Sequence, residues 1–334
     1  MKRVLSVFLV VAMVMSLAAC GSGKVRITTQ ESSKNAEASA AESVSSESED
    51  AKVSQESELE SDAENVSEST PSVEDAFEEV LAVDNDQCTI KITGIDSDDI
   101  WGYTLKTYME NKSSDKTYMF SVESASINGV KAEPGFATEI AAGKKSNEEI
   151  HFSKDLSNGK SLEAQSVGDF TDIRLSFIVY DSEDWAADPV AKETVHVYPL
   201  GKDKAVEFVR ASKDTDTVIV DNDDISVVVT NYDEGGFWGY TANLYLVNKT
   251  DKEFTYSVEE VSVNGFMVDP FWADSVCAGE SAFSSISWSD SAFEENNITK
   301  VEEIEMKLRV YDAEDWSADA VYEDVVILKP YLSF

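Results

Sequence analysis

The chain is short of the residues that most active sites need. Its 334 residues include two histidines, His151 and His196. A Ser-His-Asp or Cys-His arrangement needs a histidine beside a nucleophile, and no nucleophile-elbow glycine pattern marks one. Zinc-ligand spacing and glycine-rich phosphate loops are missing as well, and paired carboxylates without a groove do not make a glycosidase. A non-enzymatic protein is expected. Basic side chains are scarce too: 27 Lys and Arg face 65 Asp and Glu, a formal charge of -38. Nucleic acid and anionic lipid headgroups require cations gathered on one face, so neither is an expected partner. After residue 20 no apolar run is long enough to cross a bilayer.

The N-terminus carries the most specific signal. Lys2 and Arg3 precede an apolar run from Val4 to Met15, broken only by Ser6, and "SLAACG" follows from Ser16. Charged, apolar and small-residue segments in that order are the parts of an export signal. The phrase "LAAC" resembles a lipobox, which implies removal of residues 1–19 and a diacylglycerol on the Cys20 thiol. Each buried methylene contributes about 0.8 kcal/mol, so two or more long chains hold a protein on a membrane where one is marginal. The expected address is extracytoplasmic, lipid-anchored to the bacterial cell membrane, with no cofactor expected beyond that diacylglycerol anchor. Residues 20–78 are Ser, Glu and Ala with almost no branched apolar or aromatic residue. Such a segment buries too little surface to offset its ordering entropy, so a disordered acidic linker is expected.

What remains is written twice. "VDND" at Val83 recurs at Val220, "WGYT" at Trp101 recurs at Trp238, and "NKSSDK" at Asn111 answers "NKTDK" at Asn248. "SINGV", "AAGK" and "YDSEDWAAD" (from Tyr180) are followed in the same order by "SVNGF", "CAGE" and "YDAEDWSAD" (from Tyr311). Landmarks in one order mean a duplicated domain. The repeats are placed at residues 79–199 and 219–334, joined by a linker over 200–218 with a short strand expected at Val206 to Val209. Period-two alternation dominates: Ile173, Leu175, Phe177 and Val179 oppose Arg174, Ser176 and Tyr180, as Ile304, Met306, Leu308 and Val310 oppose Glu305, Lys307 and Arg309. Trp101, Tyr103, Leu105 and Met109 share that parity with Trp238, Tyr240, Ala242, Leu244 and Leu246. Val195 and Val197, or Val325 and Ile327, supply a closing strand. Asn128-Gly129 and Asn264-Gly265 read as tight hairpins. With no convincing helical period, the expected fold class is all-β: two tandem antiparallel immunoglobulin-like β-sandwich domains after the disordered linker, with a closed barrel as the runner-up.

Registration of the copies places Cys88 opposite Ile225, as an inert core thiol, and Cys277 opposite Ala141, before a glycine turn and more accessible. Both are expected to be unpaired, a bridge between them being the alternative. The repeated acidic phrase follows directly on a strand, so it reads as a turn whose Asp and Ser cap backbone groups and whose Trp packs over the sandwich end. Two sharper readings stand beside it. Asp181, Glu183 and Asp184, with Asp312, Glu314 and Asp315, offer hard oxygen ligands for calcium, although no EF-hand loop is present. Trp185 and Trp316, with Trp101 and Trp238, offer a sugar-stacking platform.

The stretches "DSDDIWGYTLKTYMENKSSDKTYMFSVESASINGV" and "FWGYTANLYLVNKTDKEFTYSVEEVSVNGFMVDPFWAD" resemble a tandem domain of Gram-positive, clostridia-like surface lipoproteins. That domain is similar in general plan to the immunoprotective extracellular antigen-like β-sandwiches. The resemblance implies a fold and a cell-surface address and carries over no catalytic residue. The expected function is display of two β-sandwich modules for non-catalytic binding of an extracellular protein or glycan, or spacing, at the envelope. The alternative is an extracytoplasmic accessory or sensory subunit that binds a small ligand or calcium for a membrane partner.

Overall fold

The structure, a computed structural model, describes residues 77–156 and 159–330. The expected export signal, Cys20 and the linker up to residue 76 lie outside the described residues. The first repeat contributes β1 (Val80–Asp84), β2 (Cys88–Asp96), β3 (Tyr103–Asn111), β4 (Tyr118–Ile127), β5 (Val130–Ala132), β6 (Ala137–Ile140), β7 (Lys145–Phe152), β8 (Ile173–Asp181) and β9 (Ala191–Val197). The second contributes β10 (Thr217–Asp221), β11 (Ile225–Gly236), β12 (Gly239–Asn248), β13 (Phe254–Val263), β14 (Phe266–Met267), β15 (Ala273–Val276), β16 (Ser281–Trp288), β17 (Ile304–Asp312) and β18 (Tyr322–Leu328). Among the described residues the only α-helix is α1 (Asp290–Glu295), capped by the Ser289 side chain. The fold is all-β and sandwich-like.

The two repeats pair their strands in the same order. Strands β1-β2-β3-β7 form one sheet and their counterparts β10-β11-β12-β16 run in the same sequence. Strand β4 pairs with β5, β6 and β8, and β8 with β9, as β13 pairs with β14, β15 and β17, and β17 with β18. Every one of these pairings is antiparallel. A single parallel pair, Ser281 beside Val130, joins β16 of the second repeat to β5 of the first, so that one sheet from each repeat merges into a nine-stranded sheet while β1-β2-β3-β7 and the sheet of β13, β14, β15, β17 and β18 stay separate.

Alternation decides which side chains go inward. Ile173, Leu175, Phe177 and Val179 are fully buried, as are Ile304, Met306, Leu308 and Val310. Cys88 and Ile225 open equivalent strands and are both fully buried, and burial pushes the Cys88 thiol up to about 11. Asn128-Gly129 and Asn264-Gly265 take φ values of 54° and 79°, and of 51° and 83°. Those angles close the β4–β5 and β13–β14 hairpins as the sequence predicts.

The structure corrects four expectations. Trp101 and Trp238 do not continue the inward face of β3 and β12, because Gly102 and Gly239 intervene at φ 116° and 88° and turn the chain. Val325 and Ile327 point outward, and it is Leu328, opposite Ile304, that closes the core as Val197 does opposite Ile173. The register of β18 is one residue away from the alternation expected there, which flips every side chain. Residues 206–209 form no strand. That segment is a strap: Val206 N–H donates to the Thr171 hydroxyl at 3.1 Å, Phe208 N–H to the Asn128 carbonyl at 2.8 Å, and Phe208 packs on Tyr245 and Phe283. Arg210 and Asp216 then close the strap with a bidentate pair at 2.7 and 2.8 Å, the guanidinium lying over the Tyr245 ring. Strand β10 begins at Thr217, inside the expected linker.

The repeats differ where they meet. Val228, Tyr245, Val247 and Phe283 on the outer face of β11, β12 and β16 pack into the first repeat's core cluster. Strand registers place Lys91, Tyr108, Glu110 and Asn147 at the corresponding positions of the first repeat. There the face is a water-facing polar surface, with Tyr108 donating to Glu110 and Lys145 over the Tyr108 ring. Behind the parallel pair, Glu280 accepts from Arg174 Nε and Ser126 Oγ, each at 2.5 Å, and from Arg174 Nη2 at 3.1 Å.

Candidate functional site

The repeated motifs meet at the end of each repeat where β3 hands over to β4, or β12 to β13, and they bind one another. Lys112 Nζ donates to Asp84 Oδ1 at 2.6 Å and to the Asn85 carbonyl at 2.7 Å; Lys249 does the same to Asp221 and Asn222 at 2.7 and 2.5 Å. Asn111, fully buried, donates to the carbonyls of Lys116 and Ile140, and Asn248 to those of Lys252 and Val276. Lys116 pairs with Asp181 at 2.8 Å and Lys252 with Asp312 at 2.8 Å. The two lysines of "NKSSDK" therefore reach the acids of "VDND" and "YDSEDW", and those of "NKTDK" do so in the second copy.

The acidic phrase is thereby a folded turn. Asp181 Oδ1 accepts the Glu183 N–H at 3.1 Å, and Asp312 Oδ1 accepts that of Glu314 at 3.0 Å. Glu183, Asp184, Glu314 and Asp315 are exposed. Among the described residues no group of three or more His, Cys, Asp or Glu side chains is placed to hold a metal ion. Trp185 and Trp316 do not pack over the sandwich ends, being 67% and 66% exposed, and Trp101 and Trp238 are 70% and 73% exposed. The structure does not bring these rings together within a repeat. Trp185 follows Asp181, which lies opposite Tyr118 at the start of β4, whereas Trp101 precedes Tyr103, which lies opposite Phe152 at the far end of the strands. Nine strand residues, roughly 30 Å, separate the two ends.

Asp181 and Asp312 are held below the ordinary carboxylate range, first by hydrogen bonds from Lys116 and Lys252 and then by the turn N–H groups. A carboxylate whose folded pKa is depressed stabilises the fold above its unfolded pKa and loses that contribution as pH falls through the folded value. Melting temperature is expected to fall with pH below the unfolded value of 3.8. In Asp181→Asn/Asp312→Asn the acid limb should be shallower; an identical limb in thermal melts of the two proteins would contradict the assignment.

At the opposite end each repeat carries a cavity. In the first repeat a cavity of about 590 Å³ is walled by Tyr103, Leu162, Phe170, Pro199 and Leu200. Phe170 stacks on Tyr103 at 4.1 Å between ring centroids. In the second repeat a cavity of about 310 Å³ is walled by Tyr240, Phe293, Ile298 and Val301, with Glu234, Asp290 and Glu294 around it. Tyr103 and Tyr240 are equivalent, and in both the hydroxyl is closed to solvent and has no hydrogen-bond partner. Burial pushes both phenols up. The signal available in the sequence was the repeated "WGY", whose glycine lets the tyrosine backbone lie against the neighbouring strand. A Cβ at Gly102 would stand 2.2 Å from the Phe152 carbonyl oxygen, and one at Gly239 2.2 Å from that of Trp288.

Of the remaining reactive groups, His151 Nδ1 lies 2.8 Å from the buried Thr104 hydroxyl and His196 Nδ1 lies 2.7 Å from Asp172 Oδ1. Cys88 and Cys277 are not bridged. Cys277 is half-buried rather than fully accessible, because its turn is tucked beside Arg174 at the contact between the repeats, and burial raises its pKa.

No protein family and no curated protein matches the chain. Among solved structures, the YadV chaperone is 10% identical over 67% of this chain and 92% of that one, with a TM-score of 0.21. The CsuC-CsuE chaperone-tip adhesion subunit complex of Acinetobacter baumannii is 11% identical over 67% and 90%, with a TM-score of 0.18. Red sea bream transglutaminase is 10% identical over 74% of this chain and 31% of that one, at 0.20. Scores this low carry no argument about architecture or activity.

Proposed function

We propose that this chain is a lipid-anchored cell-surface protein that displays two immunoglobulin-like β-sandwich modules, residues 79–199 and 219–334, for non-catalytic binding or spacing at the cell envelope. Cys20 carries the anchor and residues 20–78 form the acidic leash. The observation that carries the binding role is the duplicated aromatic tip. Ile100-Trp101 and Phe237-Trp238 stand exposed at the turns before β3 and β12, each followed by a glycine that fixes the turn against the neighbouring strand. Large apolar side chains gain nothing for folding when left in water, and their repetition at one place on a rigid scaffold marks a contact surface. The lysines of the repeated motifs and the aspartates they pair with, Asp84, Asp181, Asp221 and Asp312, are meanwhile engaged in holding turns together, which supports a non-catalytic reading.

Trp101→Ala/Trp238→Ala is expected to leave stability within about 0.5 kcal/mol, because both rings are largely exposed and Trp238 packs only edge-on against the equally exposed Phe237, while weakening retention on isolated cell-wall glycan or on extracellular protein partners at least roughly tenfold. Retention equal to that of the unaltered protein would refute the contact surface. Labelling with a fatty-acid probe, lost in Cys20→Ala, tests the anchor separately. A second reading, an extracytoplasmic accessory or sensory subunit serving a membrane partner, is favoured by the paired cavities at Tyr103 and Tyr240.

A further inference from the structure

We propose that copies of this chain associate head to tail: the far end of the second repeat in one copy receives the opening end of the first repeat in the next, in the way that the first repeat receives the second inside the chain. Such assembly goes beyond the display reading and depends neither on the aromatic tips nor on the anchor.

The internal junction shows what such a contact consists of. On the first repeat, Lys131, Ser126, Arg174 and His196 lie opposite one another across β5, β4, β8 and β9, one row on the outer face. Two acids of the second repeat meet that row: Asp274 accepts from Lys131 at 2.6 Å, and Glu280 accepts from Ser126 and Arg174. Beside it Ser281 N–H donates to the Gly129 carbonyl at 2.9 Å. The same registers of β14, β13, β17 and β18 make the corresponding row of the second repeat Met267, Ser262, Glu305 and Ile327. That row is open. Phe266, the counterpart of the fully buried Val130, is 47% exposed, and Met267 and Ile327 are more so.

Charge complementarity points to a second copy as the occupant. Glu280 closes a turn in which its N–H donates to the Cys277 carbonyl and its own carbonyl accepts from Asn248 N–H; Lys144 closes the same turn of the first repeat, donating to Ala141 and accepting from Asn111. Lys144 thus stands where Glu280 does, and Glu305 where Arg174 does, so the ion pair of the junction returns between copies with its signs reversed. At the second pair, Asp274, opposite Tyr256, gives way to Thr138, opposite Phe120, and Lys131 gives way to Met267. No like charges meet at either position. Lys144 and Glu305 are exposed, and neither has a side-chain partner among the described residues. The strand edges match as well. Strand β7 opens at Lys145 as β16 opens at Ser281, and β7 and β14 are each hydrogen-bonded on one side only, which leaves both edges able to pair with another chain. The contact is weaker than the internal one, because Lys91, Tyr108 and Asn147 stand where the junction has Val228, Tyr245 and Phe283.

The test is sedimentation equilibrium of the full chain at about 0.15 M salt, where the repulsion from a formal charge of -38 is screened beyond about 8 Å. The weight-average mass should exceed that of one chain by about 0.1 mM protein and go on rising past two chains, since a contact between two different surfaces leaves each assembly with free ends. Lys144→Glu and Glu305→Lys each set like charges together and should weaken association at least about tenfold. The double variant Lys144→Glu/Glu305→Lys restores an opposite pair and should associate as the unaltered chain does, an outcome that damage to the fold cannot produce. A chain that stays monomeric at about 1 mM overturns the proposal, as does a mass that stops at two chains. Association unchanged in either single variant, or not restored in the double variant, overturns it too. Trp101→Ala/Trp238→Ala should associate normally, because Trp101 stays exposed with the internal junction formed, and this separates failure of the contact from failure of the display reading.

Discussion

Glu280→Ala is expected to cost about 3 kcal/mol and to loosen the junction of the two repeats. The carboxylate is 7% exposed and the Arg174 guanidinium 13%, and the two meet through a pair of hydrogen bonds that Ser126 extends. Removing the acid leaves a charge buried without compensation, which costs far more than the intact pair contributes. Arg174→Met/Glu280→Leu should restore most of the loss, because apolar side chains of similar volume carry no desolvation penalty. Urea unfolding is the measurement. Since the parallel contact consists of one residue pair, Ser281 with Val130, the alanine variant should also separate the unfolding of the two core clusters into two transitions. A loss below about 1 kcal/mol with a single transition would mean that the junction is held by the Phe208, Tyr245 and Phe283 rings alone.

Gly239→Ala should be comparably damaging, and Gly265→Ala provides its control. The two glycines have nearly the same backbone angle, φ 88° and 83°. At that angle an L side chain costs roughly 1–2 kcal/mol wherever it sits. A Cβ on Gly265 meets nothing within 4 Å, whereas one on Gly239 would stand 2.2 Å from the Trp288 carbonyl oxygen, which is backbone. Strand β12 must then part from β16 at its first pair, Tyr240 with Trp288. We expect about 1 kcal/mol for Gly265→Ala and at least about 3 kcal/mol for Gly239→Ala in the same denaturation experiment. Equal losses would show that the sheet end yields freely.

The hairpins, the burial of Cys88 and the inward faces of β8 and β17 were readable because each depends on a few consecutive residues. Asparagine before glycine specifies its own φ values, and alternation specifies a face once the strand is granted. The same logic failed at β18, where "VVIL" offers branched apolar residues on both parities. It failed at Trp101 because a glycine between two aromatic residues reverses the parity without changing the composition. Both candidate sites show the limit at longer range. "YDSEDW" draws attention as a cluster of acids, yet its first aspartate is engaged by Lys116, 65 positions earlier in the chain. The Tyr240 cavity is made from β11, β12 and the α1 region, segments separated by some fifty residues and partly without counterpart in the first repeat.

The junction does leave a mark in the sequence. Strand β12, "GYTANLYLVN", is apolar on both faces, whereas β3, "YTLKTYMEN", carries Lys106 and Glu110. A strand covered on both sides reads as a nearly continuous apolar run, and β12 is covered on its outer side by the first repeat.

By itself the sequence determined the strands, their duplication and the inward side of most of them, because pleating and turn chemistry act over a few residues. Only the tertiary structure decided which outer face was covered, which lysine answered which aspartate, and where tyrosine hydroxyls were shut in without partners. Those outcomes arise when one layer closes over another, bringing together groups that no local period relates.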